Sequence, residues 1–326
     1  MKSILDSLPK ETRKRFIRRA QPAWMNPMLA TLTDKRFSDR NWIFEKKHDG
    51  VRALAFCKGN DVRLFSRNKL SFTNSYPEIV QSLSEQRSRN FIIDGEIVAF
   101  EKGVSSFAKL QQRMRSVVVV CYFVFDLLYL DGYEMTQVPL VQRKHLLRKA
   151  FTYDRRVRFT THRVGEGEAY FEEACRKNWE GIIAKRAESL YAPGRSRDWL
   201  KFKCSMQQEF VIVGYTDPAG KRTGFGALLM GYYSGNHLLY AGKVGTGFNA
   251  KTLQSLKKQL STLERKTSLV KGIGLPRKNV HWVEPVLVAQ IAFSEWTADN
   301  KLRHPSFLGL REDKNPWEVI REEADR

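Results

Sequence analysis

Acidic residues are in short supply in this chain of 326 residues. Asp and Glu number 35 against 56 Lys and Arg, leaving a formal net charge of +21. Solubility alone does not need so large a one-signed excess, and a polyanionic partner would use it. Charge by itself leaves membrane surfaces and acidic proteins open as partners too. Cysteine is also scarce: Cys57, Cys121, Cys175 and Cys204 are widely spaced, with no C-x-x-C pair and no clustered histidine. That spacing argues against zinc sites and a disulfide framework and for a reducing compartment. Long apolar runs are missing, since the longest, Val117 to Leu130, is too short to span a bilayer and contains Asp126. The N-terminus lacks the apolar core of a secretory signal, so the chain reads as cytosolic. Internal repeats and low-complexity linkers are absent. What is present is ordinary for a globular protein, at 42% hydrophobic and 12% aromatic residues.

The length suits two domains. Seven basic and two acidic residues fall in the first twenty, which read as a short basic helix or arm. A solvated helical face and a DNA-contacting arm explain that stretch equally well. From about residue 40 to 205, short apolar runs alternate with turn signals. Strands are predicted at 42–45, 52–57, 62–65, 91–100, 117–128, 181–185 and 199–203, and helices at 76–85, 141–150 and 168–177. Few connections are long enough for parallel crossovers, so the expectation is an α+β unit of largely antiparallel character. After Cys204 the texture changes to strands at 210–214, 227–233, 238–244, 280–283 and 287–296, with one helix opening at Asn249. Several strands interrupted by one helix outline a small barrel such as an OB-fold. The expected domains are therefore 1–206 and 207–326. The glycine-rich Gly242–Gly247 stretch lacks the G-K-[ST] ending of a phosphate loop and reads as a barrel turn.

The sharpest chemical signal is Lys47-His48-Asp49-Gly50-Val51-Arg52, a K-x-D-G-x-R. A lysine amine attacks the α-phosphate of a nucleotide to leave a phosphoramidate, provided it is neutral. Neutralising a free lysine at pH 7 costs about 4–5 kcal/mol unless its surroundings lower the pKa. The hexapeptide taken alone is explained as well by a charged hairpin turn. Further segments weigh against that. Asp94-Gly95-Glu96 interrupts an apolar run, where Glu96 suits a ribose hydroxyl or a metal-bound water. Phe123 to Leu128 offers an aromatic for stacking on a base, and by itself reads as core strand. Glu180 and Lys185 bracket an apolar strand, which suits a metal and a phosphate respectively. In Trp199-Leu200-Lys201-Phe202-Lys203, a strand would put Leu200 and Phe202 in the core and both lysines on the other face. Two ammonium groups on one face call for an anion between them, a triphosphate for example, unless they simply guard an edge strand.

Taken in order, KHDGVR, SRN (Ser66–Asn68), DGE, VFDLLYLDG, EGIIAK, WLKFK and LREDK resemble the motif series of covalent nucleotidyltransferases, specifically ATP-dependent DNA ligases. The stretch Ser189–Trp199, with GFGALLMGYY, YAGKVGTGF and RHPSFLGLREDK, is similar to the ligase domain of bacterial end-joining ligases of the D type. The resemblance runs from about Pro22 onward. It implies an α+β nucleotidyltransferase domain, an ATP-grasp-like adenylation unit, followed by an all-β OB-fold barrel with one inserted helix. It implies Lys47 as the adenylated nucleophile and Glu45 as the group recognising the adenine amino group. Arg52 and Glu96 would hold the ribose and nearby phosphate, Arg67 the phosphate, and Phe125 would stack on adenine. Glu180, with Glu96, would bind magnesium or manganese. Lys185, Lys201 and Lys203 would grip the phosphates, while Arg311, Asp313 and Lys314 would close over ATP from the second domain. The implied substrate is nicked or broken double-stranded DNA, with a Ku-like end-binding protein as a partner and the enzyme itself a monomer in the nucleoid. Relatives of this type often carry polymerase and nuclease domains, for which this length leaves no room. RNA capping guanylyltransferases and RNA ligases share the lysine motif but not the Ser189–Trp199 stretch, and a binding module without catalysis would not keep all seven motifs.

Overall fold

Period-two alternation of apolar residues makes strands the commonest regular element of this chain, and the helices serve mainly to cover the sheet faces left open. The computed structural model describes residues 4–114, 117–220, 222–276 and 278–323. The first three residues of the basic N-terminal arm lie outside the described residues. The chain divides into one unit that runs to Cys204 and takes in Glu323 again, and a second spanning Ser205–Glu322.

In the first unit the strands begin with β1 (Ile17–Arg18), β2 (Met28–Leu32), β3 (Trp42–Lys47), β4 (Val51–Lys58), β5 (Asp61–Ser66), β6 (Asn90–Glu101) and β7 (Val104–Ser105). They continue with β8 (Val120–Leu130), β9 (Tyr133–Glu134), β10 (Val157–Phe159), β11 (His162–Val164), β12 (Gly181–Arg186) and β13 (Gly194–Lys203). The helices are α1 (Lys10–Arg13), α2 (Pro77–Ser84), α3 (Phe107–Gln111), α4 (Leu140–Ala150) and α5 (Gly167–Arg176). Two sheets result. The larger runs β1-β9-β8-β6-β4-β5, with β10 beside β8 and β7 beside β6; the smaller runs β11-β3-β12-β13-β2. Pairing is antiparallel except for β10 with β8 and β13 with β2. The basic arm is not wholly solvated: Leu5 and Leu8 are buried in the core and β1 pairs with β9.

Three apolar clusters hold this unit. Ala53, Ala55, Ile79, Leu83, Phe91 and Leu146 pack on one face of the larger sheet. Leu54, Phe56, Ile92, Tyr129, Tyr191 and Trp199 fill the space between the sheets. Phe44, Ile182, Ala184 and Phe202 line the far face of the smaller sheet with Tyr170 and Ala174 of α5. One expectation needs correction here. Cys175 and Cys204 form a disulfide across 29 residues of sequence. Distance along the chain hid the pairing: packing of α5 over the smaller sheet brings its last turn to the end of β13, with the two Cα atoms 5.2 Å apart.

The second unit contains β14 (Met206–Thr216), β15 (Leu228–Ser234), β16 (His237–Val244), α6 (Ala250–Thr262), β17 (Glu264–Arg265), β18 (Val280–Val283), β19 (Val288–Phe293) and β20 (Ser306–Leu310). Its sheet runs β16-β15-β14-β18-β17, with β19 bridging β14 to β20. The long β14 therefore pairs with three neighbours, as a strand shared around a closing barrel must. Asn249 caps α6 by accepting from the Thr252 N–H at 2.8 Å, and Leu253, Leu256 and Leu260 of that helix are buried. A strand barrel with one inserted helix is the OB-fold arrangement.

Candidate active site

The register of the smaller sheet assembles the site. Residues directly opposite on paired strands point to the same face. Lys47 lies opposite Gly181, Glu45 opposite Ile183, and Ile43 opposite Lys185. Across the next pairing, Lys185 faces Trp199, Ile183 faces Lys201 and Gly181 faces Lys203. Glu45, Lys47, Lys185, Trp199, Lys201 and Lys203 thus share one face, while Phe44, Ile182, Leu200 and Phe202 occupy the other. Alternation also separates the two adjacent lysines. Lys46 points the opposite way from Lys47, with its ammonium over the Trp179 ring at 4.3 Å. Gly181 leaves the gap beside Lys47: a Cβ there would meet the Phe202 carbonyl oxygen at 1.9 Å, and its φ is +151°.

The turn that follows Lys47 is tied to the larger sheet. Gly50 passes so close to β6 that a Cβ would sit 2.2 Å from the Ile97 carbonyl oxygen. The Asp49 carboxylate accepts from the Phe107 N–H at 3.0 Å, at the start of α3. His48 stacks on Phe123, centroids 4.1 Å apart and planes at 27°. Burial, aided by the charges of Lys46 and Lys47, pushes the His48 imidazole down to about 3, so it is neutral near pH 7.

Lys47, half-buried, and buried Glu180 form an ion pair, Nζ to Oε2 2.5 Å. Burial pulls the Lys47 ammonium down, but Glu180, with help from Glu96 and Asp49, outweighs it and leaves the pKa above the ordinary lysine value. Glu45 is clasped by two lysines: Lys185 Nζ at 2.7 Å from Oε2, and Lys144 Nζ bonded to Oε1. Burial raises the Glu45 carboxyl, yet the two ammonium groups outweigh it and hold the pKa below the usual carboxylate value. Lys185 is pulled below the ordinary lysine value by burial, with Lys144 adding to it.

The facing side is built by the larger sheet. Arg52 lies opposite Glu96, and Glu96 opposite Phe123, so all three share a face. Arg52 donates to both oxygens of buried Asp94, at 2.9 and 2.5 Å, and the Tyr191 hydroxyl donates to the same carboxylate at 2.7 Å. Burial lowers and Asp94 more than restores the Arg52 pKa, so it is permanently charged. Phe125 sits edge-on to Trp199 at 6.0 Å, with the Lys185 ammonium 4.3 Å from its ring. Arg67 lies in the turn leaving β5, where the Ser66 hydroxyl accepts from the Asn68 and Leu70 N–H groups. Arg311, Asp313 and Lys314 belong to the second unit. There Arg311 donates to both Asp313 oxygens at 2.8 Å, and Lys314 pairs with Glu209 at 2.7 Å.

Several participants escaped the sequence reading. Asp94 was in view only as the neighbour of Glu96. Tyr191 was visible only as part of a longer resemblance. Arg143 and Lys144, adjacent on α4, are both buried. Arg143 holds Asp126 through two bonds of 2.7 and 2.8 Å. The available signal was an acid inside each apolar strand, Asp126 and Glu45, each of which needs a cation.

Residues 27–203 match the family described as ATP dependent DNA ligase domain, and residues 221–314 match ATP dependent DNA ligase C terminal region. The multifunctional non-homologous end joining protein LigD of Pseudomonas aeruginosa is 35% identical over 312 residues, covering 92% of this chain and 37% of that protein. The corresponding DNA repair protein of Mycobacterium tuberculosis is 38% identical over 305 residues, 91% of this chain and 40% of that one. The chain thus spans about two fifths of the length of the curated relatives it matches. Among solved structures, mycobacterial DNA ligase D complexed with ATP and MES superposes with a TM-score of 0.67 at 37% identity, covering 91% of this chain and 98% of that one.

Proposed function

The chain belongs to the ATP-dependent DNA ligase family, and from that premise we propose that it seals 5′-phosphate to 3′-hydroxyl breaks in duplex DNA through a lysyl-AMP on Lys47. The observation carrying this reading is the shared face on which Lys47, at the turn of a K-x-D-G motif, lies among Lys185, Lys201 and Lys203. Lys47 attacks the α-phosphate of ATP, forming a P–N bond as the bond to pyrophosphate breaks. Its proton must leave first, and Glu180 is the base in contact with it. The AMP then passes to the 5′-phosphate of a break, and the 3′-hydroxyl displaces it. Lys201 and Lys203 oppose the charge that develops on the phosphates. Glu45 takes the adenine amino group, Phe125 covers the base, Arg52 and Glu96 hold the ribose, and Arg67 contacts phosphate. Arg311, Asp313 and Lys314 act from the second unit on the leaving pyrophosphate.

A divalent cation, magnesium or manganese, fits Glu96 and Glu180. Both are carboxylates acting on the charge of Lys47, and such ions take one or two carboxylates plus phosphate oxygens. When bound, it would offset negative charge on the phosphates. From the relatives' names we assign the enzyme to end joining, and the motif resemblance adds to the proposal a monomer in the nucleoid with a Ku-like partner that holds the ends.

The test is incubation with α-labelled ATP or GTP and magnesium after pyrophosphate treatment, then denaturing electrophoresis. ATP label on the chain that chases into sealed nicked DNA is the expected result. Label from GTP moves the protein to capping chemistry, and no label from either nucleotide overturns the reading.

A further inference from the structure

We infer that Lys144 of α4, which lies outside every nucleotidyltransferase motif in the chain, is the positioning residue that aims Glu45 at the base and thereby sets the preference for ATP over GTP. The inference rests on the proposed role of Glu45.

The geometry is specific. Lys144 is 2% exposed, and its ammonium bonds Glu45 Oε1 and donates to the Thr160 carbonyl at 3.0 Å. Lys185 holds the other carboxylate oxygen at 2.7 Å. The Glu45 side chain therefore has each oxygen anchored from a different element, α4 and β12, and cannot change rotamer without breaking a buried ion pair. Its neighbour Arg143 anchors Asp126 from the same helix turn. Asp126 adjoins Phe125 on the larger sheet, while Glu45 lies on the smaller one. Two consecutive residues of α4 thus lock one carboxylate in each wall of the space that would hold the base. Among the described residues, other titratable groups near Glu45 include His162, opposite it on β11, Tyr170 of α5, which feels the Glu45 charge, and Lys47 on its own strand.

The chemistry of discrimination follows. An ionised carboxylate only accepts hydrogen bonds, and it has four lone-pair sites for two oxygens. With one site on each oxygen taken by an ammonium group, the remaining sites suit the exocyclic amine of adenine. Guanine places a carbonyl oxygen at that position, and two acceptors facing each other in a dry site repel. Without Lys144, burial favours a protonated or reoriented Glu45, which donates to that carbonyl and ceases to exclude it.

The experiment measures ATP and GTP binding to the full chain by calorimetry, after pyrophosphate treatment and with metal chelated, so that no covalent step is needed. Lys144→Met is expected to lower the ATP-to-GTP affinity ratio by at least about tenfold, with Lys144→Arg restoring most of it. An unchanged ratio in folded Lys144→Met overturns the inference, as does an equal loss for both nucleotides, which marks a purely structural role. If Lys144→Met does not fold, Lys144→Gln keeps a donor without the charge and is read by the same ratio. A wild type that prefers ATP in binding yet forms no lysyl adduct refutes the ligase reading while this inference stands. A wild type that binds both nucleotides equally overturns the inference whatever the adduct assay gives.

Discussion

The two faces of the smaller sheet come from the same strands and alternate residue by residue, yet they have little in common. One face carries Glu45, Lys47, Lys185, Lys201 and Lys203; the other carries Phe44, Ile182, Ala184 and Phe202 beneath α5. The apolar face needs no partner beyond its own helix. The charged face keeps its cations in place through carboxylates: Glu45 on the face itself holds Lys185, Glu180 at its rim holds Lys47, and Asp126 across the gap adds its field at Lys185. A sheet of this kind separates stability from chemistry by one residue of register, so a substitution at position n and one at n+1 should fail in different assays.

Four substitutions test that separation. Lys47→Met should abolish adduct formation entirely, seen as loss of the AMP mass increment, while the chain still binds DNA. Phe202→Ala, one position from Lys203, should cost about 3–5 kcal/mol of stability in denaturant titration, with adduct formation retained by the molecules that remain folded. Equal catalytic loss in both variants would erase the distinction between the faces. Removing the Cys175–Cys204 bridge by Cys175→Ser should cost about 3–4 kcal/mol from loop-closure entropy over 29 residues, again without changing chemistry per folded molecule. The smallest effect belongs to His48. Its imidazole titrates near 3 when folded but near 6.5 when unfolded, so the unfolded chain takes up a proton first as pH falls. Folding stability from this group is intact above pH 6.5 and declines between 6.5 and 3. At pH 5 the loss approaches about 2 kcal/mol, and His48→Phe, which keeps the stack on Phe123, should recover it.

Much of this was legible beforehand because it depends on local pattern. Alternation in Trp199–Lys203 places Lys201 and Lys203 opposite Phe202, and the structure has them there. Asn249 announces a helix whose leucines fall on one face, and α6 follows it. Other features rest on contacts that no local pattern records. Arg143 and Lys144 look like two solvated basic residues on a helix, and are buried because Asp126 and Glu45 arrive from two different sheets. Cys175 and Cys204 meet only once α5 has packed.

The amino-acid sequence by itself determined the strand alternation, the order of the nucleotidyltransferase motifs and the placing of Lys47 and Lys46 on opposite faces, because each follows from spacing along the chain. Tertiary structure alone decided which cation meets which carboxylate. Ion pairs such as Lys47–Glu180, Lys144–Glu45 and Arg52–Asp94 join residues 42 to 133 positions apart. Burial made each of those pairings obligatory, since a charge removed from water must find its opposite wherever the fold brings one.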